Sequence, residues 1–112
     1  MTHLVTGGCG FLGAALCRSL VADGLTVRSL DDHSRGRVSR LADLPEVEQS
    51  TGDVRDAASV AEVMQGVSVV WHLAAVNGTR NFYERPDVVL EVGLKGALNV
   101  VAVSLSAAAS SA

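Results

Sequence analysis

The distribution of apolar and polar residues along this 112-residue chain follows two alternating patterns. Four short runs rich in aliphatic and β-branched residues have the length of buried strands. They span residues 2–8, 25–32, 47–56 and 67–76, of which the third is the weakest. Three longer segments carry apolar residues at helical spacing, and they span residues 11–24, 57–66 and 86–105. The chain is therefore predicted to alternate between strands and helices.

Residues at the ends of the helical segments support the predicted boundaries of these helices. Gly24 is placed to end the first helix, Asp56 to cap the second, and Pro86 fits the first turn of the third. The stretches 33–45 and 77–85 are predicted as loops, the first with a short helical turn. Such alternation predicts an α/β fold: a doubly wound parallel sheet with right-handed crossovers, truncated after about four strands, in the order 3-2-1-4.

Three glycines, Gly7, Gly10 and Gly13, recur at the junction between the first strand and the first helix. A turn before a helix N-terminus presents backbone N–H groups at the positive end of the helix dipole, which favours a phosphate. The first glycine would allow a tight turn, the second close approach to a pyrophosphate, and the third close packing of helix against strand. An ordinary tight turn is the alternative, because a glycine motif alone is weak evidence.

An acidic pair, Asp31 and Asp32, ends the second strand. Dinucleotide-binding folds place an acid at this point, about 20 residues after the glycines, where it accepts the hydroxyls of the adenosine ribose. The carboxylate would repel the extra phosphate of NADP, so NAD is the predicted cofactor. Arg35 and Arg37 lie nearby and favour NADP, but the two acids outweigh them. A solvated strand end is the alternative for Asp31.

Composition narrows the class of protein. Apolar residues make up 48% of the chain, charged residues 19%, and the formal net charge is −3, as in soluble globular domains. This balance argues against nucleic acid or a membrane as partner, and no apolar run is long enough to span a bilayer. Cys9 and Cys17 form neither a metal-ligand pair nor a disulfide framework, and no signal peptide is evident. A cytoplasmic location is therefore expected.

Four segments together, TGGCGFLG, LDDHSRG, GDVRD and VVWHLAA, resemble the extended short-chain dehydrogenase/reductase family. The resemblance is to its NAD-dependent sugar-nucleotide epimerases and dehydratases, and it covers about residues 1–101. It implies a Rossmann-type fold and hydride exchange between a nucleotide-linked sugar and NAD. It also implies a homodimer formed through the final helix, residues 86–105, which is the fourth helix of the chain when the helical turn in 33–45 is counted.

The resemblance implies further cofactor contacts. Phe11 and Leu12 would cover the pyrophosphate, the segment after the second strand would surround the adenosine ribose, and the GD-aliphatic motif would lie near the adenine. The segment after the fourth strand would line the cofactor. The predicted cofactor-binding residues are Gly7, Gly10, Phe11, Leu12, Gly13, Asp31, Asp32, Ser34, Arg35, Gly36, Asp53, Val54, Leu73, Ala74, Ala75 and Val76.

Two departures from the family's pattern bear on activity. The final helix of family members carries an asparagine that contacts the cofactor, and this chain has Gly93 in that place. The family's catalytic pair is Tyr-x-x-x-Lys, preceded by a Ser or Thr on strand five. Here the only tyrosine, Tyr83, is followed four residues later by Asp87, and the only lysine is Lys95. No catalytic residue is therefore assigned, and the chain alone is expected to be inactive.

The end of the sequence differs in composition from the rest. Residues 1–105 are assigned to an NAD-binding half-domain, and 106–112 to a low-complexity tail or the start of an interrupted segment. The tail resembles the start of the family's strand-five serine motif. It follows Asn99 too closely, however, so a role for Ser110 or Ser111 is the weaker interpretation. The sequence is expected to be a fragment or to lack part of its parent.

Other polar side chains have a structural and a functional interpretation. His72, in an apolar strand, is expected to be a satisfied buried histidine rather than a catalytic one. His3 and His33 have no second ligand at a metal-binding spacing, so no metal site is predicted. A helix dipole would lower the pKa of Cys9, but a small side chain tolerated in the turn is the better interpretation. For Arg80, a solvated loop position is favoured over contact with a substrate phosphate.

The predicted function is the NAD-binding part of a sugar-nucleotide epimerase or dehydratase. The rival is a non-catalytic nucleotide-binding or regulatory module, which the missing Tyr–Lys pair and Gly93 would suit. A reading frame that continues into strand five and Tyr-x-x-x-Lys would favour the enzyme. A stop codon after Ala112 would favour the module.

Overall fold

The alternating apolar pattern forms four strands with intervening helices in the computed structural model, which describes residues 2–33, 37–74 and 84–111. The strands are β1 (Thr2–Thr6), β2 (Thr26–Asp31), β3 (Glu48–Thr51) and β4 (Val67–His72). The helices are α1 (Phe11–Ala22), α2 (Ala57–Met64), α3 (Pro86–Leu90) and α4 (Gly96–Ser111). A 3₁₀ turn (Val38–Leu41) follows β2, and a π-helical turn (Glu91–Lys95) joins α3 to α4 to make one final helix.

All four strands are parallel and lie in the order β3-β2-β1-β4, which confirms the predicted Rossmann-type topology. β1 lies between two neighbours: Val5 is opposite Ser29 in β2 and Trp71 in β4. From β1 the chain continues to β2 and β3 on one side of the sheet and then returns to place β4 on the other side of β1. The carboxyl ends of β1 and β4 therefore form the switch point of the sheet, where open α/β folds bind their ligands.

The ends of the helices agree with the predicted boundary residues. Asp56 accepts a hydrogen bond from the backbone N–H of Ala58 at 3.1 Å and so caps α2. Gly24 follows α1 with a φ of +78°, a left-handed conformation that favours glycine. Pro86 begins α3, where its missing N–H costs no helical hydrogen bond.

The final helix is longer than predicted. It runs to Ser111 and so includes residues 106–111, which the composition had assigned to a separate tail. Alanine has the highest helix propensity, which accounts for helix in this alanine-rich segment. Neither this helix nor any other in the described part of the chain is long and apolar enough to span a membrane.

The fourth strand is more exposed than its apolar sequence predicts. Its nearly continuous apolar run predicts a strand that is covered on both faces, yet Trp71 is 39% exposed. β4 has β1 on one side and is the edge strand of the described sheet. An edge position leaves part of each apolar side chain uncovered, which explains the difference.

Two apolar clusters cover the two faces of the sheet. The first lies under α2 and the final helix, and it contains Leu4, Leu30, Val54, Val60, Val63, Met64, Val92 and Val100. The second lies under α1, and it contains Val5, Cys9, Ala14, Cys17, Leu20, Val27, Leu41 and Val47. Because successive strand residues point to opposite faces, β1 contributes to both clusters.

Close packing at Gly96 holds the final helix against the loop after β3. A Cβ on Gly96 would lie 2.5 Å from Val54 Cγ2, so only glycine permits this approach. Three residues later, Asn99 Nδ2 donates to the Val54 carbonyl at 2.9 Å. Gly93, the other glycine in this helix, has open space at its Cβ position.

Replacement of Gly96 by alanine should destabilise the fold although alanine is the better helix former. The methyl group would displace Val54, and overpacking of this kind costs about 1–3 kcal/mol, which exceeds a gain in helix propensity of about 1 kcal/mol. Gly93→Ala is the matched control and should raise the free energy of unfolding by up to about 1 kcal/mol. Urea titrations measure the free energy of unfolding of both variants, and equal changes in the two would contradict the close contact at Gly96.

Candidate functional site

The predicted site residues follow the carboxyl ends of β1, β2 and β4, which meet at one edge of the sheet. The glycine turn follows β1, the acidic pair lies at the end of β2, and Leu73 and Ala74 follow β4. A crevice is expected at this edge where the strand order reverses, between β1 and β4. The topology therefore brings the three main predicted groups together.

Gly7 makes the turn that leaves β1. Its φ of +73° lies in the left-handed region that favours glycine, and its N–H donates to the Leu30 carbonyl at 2.7 Å. A Cβ on Gly7 would lie 3.1 Å from the backbone N and Cα of Ala74. Gly7 thus brings the turn against both β2 and the segment after β4.

The other two motif glycines differ in the room around them. A Cβ on Gly13 would overlap the carbonyl oxygen of Gly7 and lie 2.8 Å from its carbonyl carbon, so no side chain fits. Gly10 has more room, since a Cβ there would meet, within 4 Å among the described residues, the Gly7 oxygen at 3.2 Å. Gly10 is also the N-cap of α1, whose first turn has no side-chain cap and no acidic residue. Packing therefore requires Gly13, whereas Gly10 leaves a helix N-terminus accessible to an anion.

Two large apolar side chains at the start of α1 are exposed. Phe11 is 78% exposed and Leu12 71%. Exposure of this much apolar surface beside a helix N-terminus is consistent with their predicted place over a pyrophosphate, which stays a prediction.

Asp31 joins the end of β2 to the glycine turn. Its Oδ2 accepts the backbone N–H of Cys9 at 2.9 Å, and its Oδ1 accepts the backbone N–H of His33 at 2.7 Å. The residue is only 8% exposed, whereas the neighbouring Asp32 is exposed. Each carboxylate oxygen has a second lone pair. The Asp31 carboxylate therefore fixes the turn and keeps the capacity to accept a ligand hydroxyl.

The loop after β2 is tied to the glycine turn through Cys9. The Cys9 carbonyl accepts the backbone N–H of Arg37 at 2.9 Å and Nη1 of Arg40 at 3.0 Å. His33 has a φ of +63°, uncommon for a residue with a side chain, and its Nε2 lies 3.0 Å from Thr51 Oγ1. The predicted residues Ser34, Arg35 and Gly36 lie outside the described residues.

Asp53 and Val54, predicted near the adenine, hold the final helix. Both carboxylate oxygens of Asp53 accept hydrogen bonds from the Arg55 guanidinium, the shortest at 2.6 Å, and Arg55 Nη1 also donates to Glu91 at 3.2 Å. The bonds from Arg55 hold the pKa of Asp53 below its usual value although burial opposes the shift. Val54 is buried against Gly96. Both residues therefore have a packing role, and their contact with adenine stays a prediction.

Thr6, the last residue of β1, holds the segment after β4. Its Oγ1 accepts the backbone N–H groups of Leu73 at 3.0 Å and Ala74 at 3.1 Å, and it lies 2.7 Å from His72 Nδ1. The Thr6 carbonyl also accepts from the Leu73 N–H at 3.2 Å. The predicted residues Ala75 and Val76, together with Arg80 and Tyr83, lie outside the described part of the chain.

The thiols and His72 have structural partners. Burial, followed by the charge of Asp31, raises the pKa of Cys9, and burial raises that of Cys17 to about 11. Both thiols are thus protonated at neutral pH, which favours the interpretation of Cys9 as a small buried side chain. His72 is half-buried and bonded to Thr6, as expected of a satisfied histidine. Within the described ranges, no group of three or more His, Cys, Asp or Glu is arranged to hold a metal ion.

Three residues that organise the site are missing from the predicted set: Thr6, Arg55 and Asn99. Thr6 directly precedes the glycines, so its position was visible in the sequence, but its partners come from β4. Arg55 and Asn99 act across the contact between the loop after β3 and the final helix. No local pattern in the sequence indicates such a contact.

A glycine turn at the switch point of a parallel sheet, tied to an acid on the neighbouring strand, is the arrangement of dinucleotide-binding Rossmann-type proteins. The sequence profile of the 3-beta hydroxysteroid dehydrogenase/isomerase family matches residues 4–110, and the chain belongs to this family. The match confirms the resemblance to short-chain dehydrogenase/reductases drawn from the four motifs.

Similar proteins include enzymes of several activities. The 2-alkyl-3-oxoalkanoate reductase of Shewanella oneidensis is 40% identical over 101 residues, which cover 88% of this chain and 24% of the reductase. The UDP-glucose 4-epimerase of Thermus thermophilus, solved in complex with NAD, is 32% identical with a TM-score of 0.85, over 92% of this chain and 33% of the epimerase. The dTDP-glucose 4,6-dehydratase of Streptomyces venezuelae, also solved with NAD, is 29% identical with a TM-score of 0.90, over 96% and 37%. The chain thus spans between about a quarter and a little over a third of these relatives.

Stability should depend on pH through Asp53. Its pKa is about 3.8 in the unfolded chain and lower in the folded one, so its contribution is present above 3.8 and is lost as the pH falls through the folded value. Asp53→Asn should therefore lower the free energy of unfolding by about 1 kcal/mol at pH 7. Urea titrations across pH should show this difference from the wild type shrink below pH 3.8. A difference that persists unchanged at pH 2 would contradict the ion pair with Arg55.

Proposed function

We propose that this chain is the NAD-binding part of an enzyme that exchanges a hydride between NAD and a substrate bearing a hydroxyl or a ketone. The observation that carries the proposal is the hydrogen bond between the Cys9 N–H and the Asp31 carboxylate. This bond connects the glycine turn, which suits a pyrophosphate, with the carboxylate of Asp31, which suits a ribose. Both recognition elements of a dinucleotide are therefore fixed relative to each other.

The glycine turn fits the pyrophosphate. Gly13 brings α1 directly against the turn, and Gly10 caps the helix without a side chain over its first N–H groups. These N–H groups and the helix dipole would bind the phosphate oxygens. Phe11 and Leu12 would then cover the phosphates and exclude water from them.

The end of β2 fits the adenosine ribose of NAD. Both oxygens of Asp31 are held by backbone N–H groups, so the carboxylate is fixed while its remaining lone pairs accept the ribose hydroxyls. Asp32 adds negative charge beside it. A phosphate on that ribose would meet this charge at close range, which supports NAD over NADP.

When bound, NAD supplies the acceptor and donor of the hydride at its nicotinamide ring. The residues of this chain bind and orient the cofactor and hold it at the switch point beside β4. Proton transfer needs a group within hydrogen-bonding reach of the reacting atoms, and the Tyr-x-x-x-Lys pair does not occur in this sequence. We therefore expect the 112-residue chain to bind NAD without turning over a substrate.

Two substrate classes are supported. The sugar nucleotide that the motifs predict is supported by the likeness to the Thermus epimerase and the Streptomyces dehydratase. A steroid or oxoalkanoate is supported by the family match and by the higher identity to the Shewanella reductase. The rival function, a non-catalytic nucleotide-binding module, is supported by Gly93, which stands where the resemblance implies a cofactor-contacting asparagine.

The homodimer through the final helix remains part of the proposal. Leu90, Leu94, Leu98 and Val101 lie at helical spacing along it and are between 55% and 65% exposed. An apolar stripe of this kind is typical of a helix that packs against another helix. The cytoplasmic location is likewise retained as an expectation.

Asp31→Asn should weaken NAD binding and narrow the preference over NADP. The amide can accept only one of the two backbone N–H groups and no longer repels a phosphate, so we expect about a tenfold loss in NAD affinity. Asp23→Asn, at the exposed C-cap of α1 and so at the far end of that helix from the glycine turn, is the control and should leave NAD affinity unchanged. Titration calorimetry with both cofactors measures this. Equal affinity of the wild type for NAD and NADP would overturn the assignment.

Gly10→Ala should separate cofactor binding from folding. The methyl group meets the Gly7 oxygen at 3.2 Å, which a small shift relieves, so the thermal midpoint should fall only slightly. The same methyl group would occupy the side of the turn that the pyrophosphate approaches, so NAD affinity should fall at least about tenfold. Gly13→Ala is the contrast, because it should destabilise the fold itself. If affinity in both variants falls only in proportion to stability, the glycines serve packing alone.

A further inference from the structure

The hydrogen bonds of Thr6 determine the direction of its hydroxyl hydrogen and the position of the ring hydrogen of His72. A hydroxyl has one hydrogen to donate and two lone pairs to accept with. Two donors, the backbone N–H groups of Leu73 and Ala74, point at Thr6 Oγ1. The hydroxyl hydrogen therefore goes to its third partner, His72 Nδ1, at 2.7 Å.

This assignment fixes the tautomer of His72. Nδ1 accepts a hydrogen bond and so carries no proton, which leaves the ring hydrogen on Nε2. Burial favours the neutral ring by lowering its pKa. The charged residues of the elements that pack on this face of the sheet are Arg28, Glu48, Asp53, Arg55, Asp56, Glu62, Glu84, Arg85, Asp87, Glu91 and Lys95. Burial alone accounts for the shift.

The segment that these bonds hold is the one that faces the glycine turn. The backbone N and Cα of Ala74 lie 3.1 Å from the Cβ position of Gly7, and the carbonyl carbon of Leu73 lies 3.2 Å from it. A displacement of this segment would therefore change the contact with Gly7. In the proposed function, this segment lines the cofactor and the turn holds its pyrophosphate.

We propose that His72 is a positioning residue of the cofactor site. As the neutral Nε2–H tautomer it takes the hydroxyl hydrogen of Thr6, which leaves both lone pairs of Thr6 Oγ1 for the N–H groups of Leu73 and Ala74. A proton added to Nδ1 would present Thr6 with a third donor for two lone pairs, so one of the three hydrogen bonds would be lost. The Leu73 N–H also donates to the Thr6 carbonyl at 3.2 Å, so the bond that depends on a neutral His72 is the one from Ala74 to Thr6 Oγ1.

The tautomer is tested directly on the full chain without cofactor. Nitrogen-15 NMR of the histidine rings should show His72 with a protonated Nε2 and an unprotonated Nδ1 at pH 7.5. Amide hydrogen exchange at Ala74 should be slow at this pH and should accelerate as His72 titrates, whereas Leu73, which also donates to the Thr6 carbonyl, should stay slow. An Nδ1–H tautomer, or exchange at the Ala74 amide that does not follow the titration, would overturn the proposal.

Two variants of His72 separate positioning from general packing. His72→Leu removes the acceptor, so exchange at Ala74 should accelerate about tenfold and NAD affinity should fall by about the same factor. His72→Asn keeps an acceptor oxygen near the place of Nδ1 but does not titrate, so it should restore both properties. If His72→Leu does not fold, the comparison of His72→Asn with the wild type across pH replaces it.

The pH profile of NAD affinity distinguishes a positioning role of His72 from a role in packing alone. Affinity of the wild type should fall by about tenfold in total as the pH drops through the pKa of His72 and should then level off, whereas His72→Asn should show a flat profile. Identical profiles would mean that His72 only packs. The inference rests on the proposed function, but the two fail differently. A wild-type chain that binds no NAD refutes the proposed function. In that case the tautomer and exchange data still decide the role of His72 in fixing the segment.

Discussion

The rest of the structure depends on the direct contact between Gly13 and the carbonyl of Gly7. Because no side chain fits between them, α1 packs directly against the short turn after β1, and its N-terminus lies at the switch point of the sheet. The same turn brings the Cys9 N–H to the Asp31 carboxylate and places Gly7 against Ala74. A helix that started farther from the strand would break all of these contacts together.

β1 connects the two sides of the crevice. On one side, the turn after β1 is bonded to β2 through Gly7 and Asp31. On the other side, the last residue of β1, Thr6, is bonded to the segment after β4. These contacts come from the last residue of β1 and from the turn directly after it, so a shift of β1 would displace the glycine turn and the segment after β4 at the same time. The position of β1 in the middle of the sheet opposes such a shift.

Local sequence signals were sufficient for most of the fold. The strand order follows from strand and helix alternation, Asp56 caps the helix that it precedes, and the glycines and Asp31 meet because both end adjacent parallel strands. The errors concern features without a local signal. The exposure of Trp71 depends on which strands flank β4, and the bonds of Thr6 and Arg55 join segments far apart in sequence. Periodicity describes one element at a time and carries no information on such partners.

Asp31 and Asp53 show how two aspartates of similar motifs have different roles because their hydrogen-bond partners differ. Asp31 is the last residue of β2 and Asp53 lies in the loop after β3, at the same edge of the sheet. Asp31 is held by two backbone N–H groups, which fix its position and leave lone pairs for hydroxyl groups. Asp53 is paired with the guanidinium of Arg55 through both oxygens, which neutralises its charge and uses its strongest acceptor positions. The difference in partner, rather than in residue type, makes Asp31 suited to recognise a ligand and Asp53 suited to hold a helix.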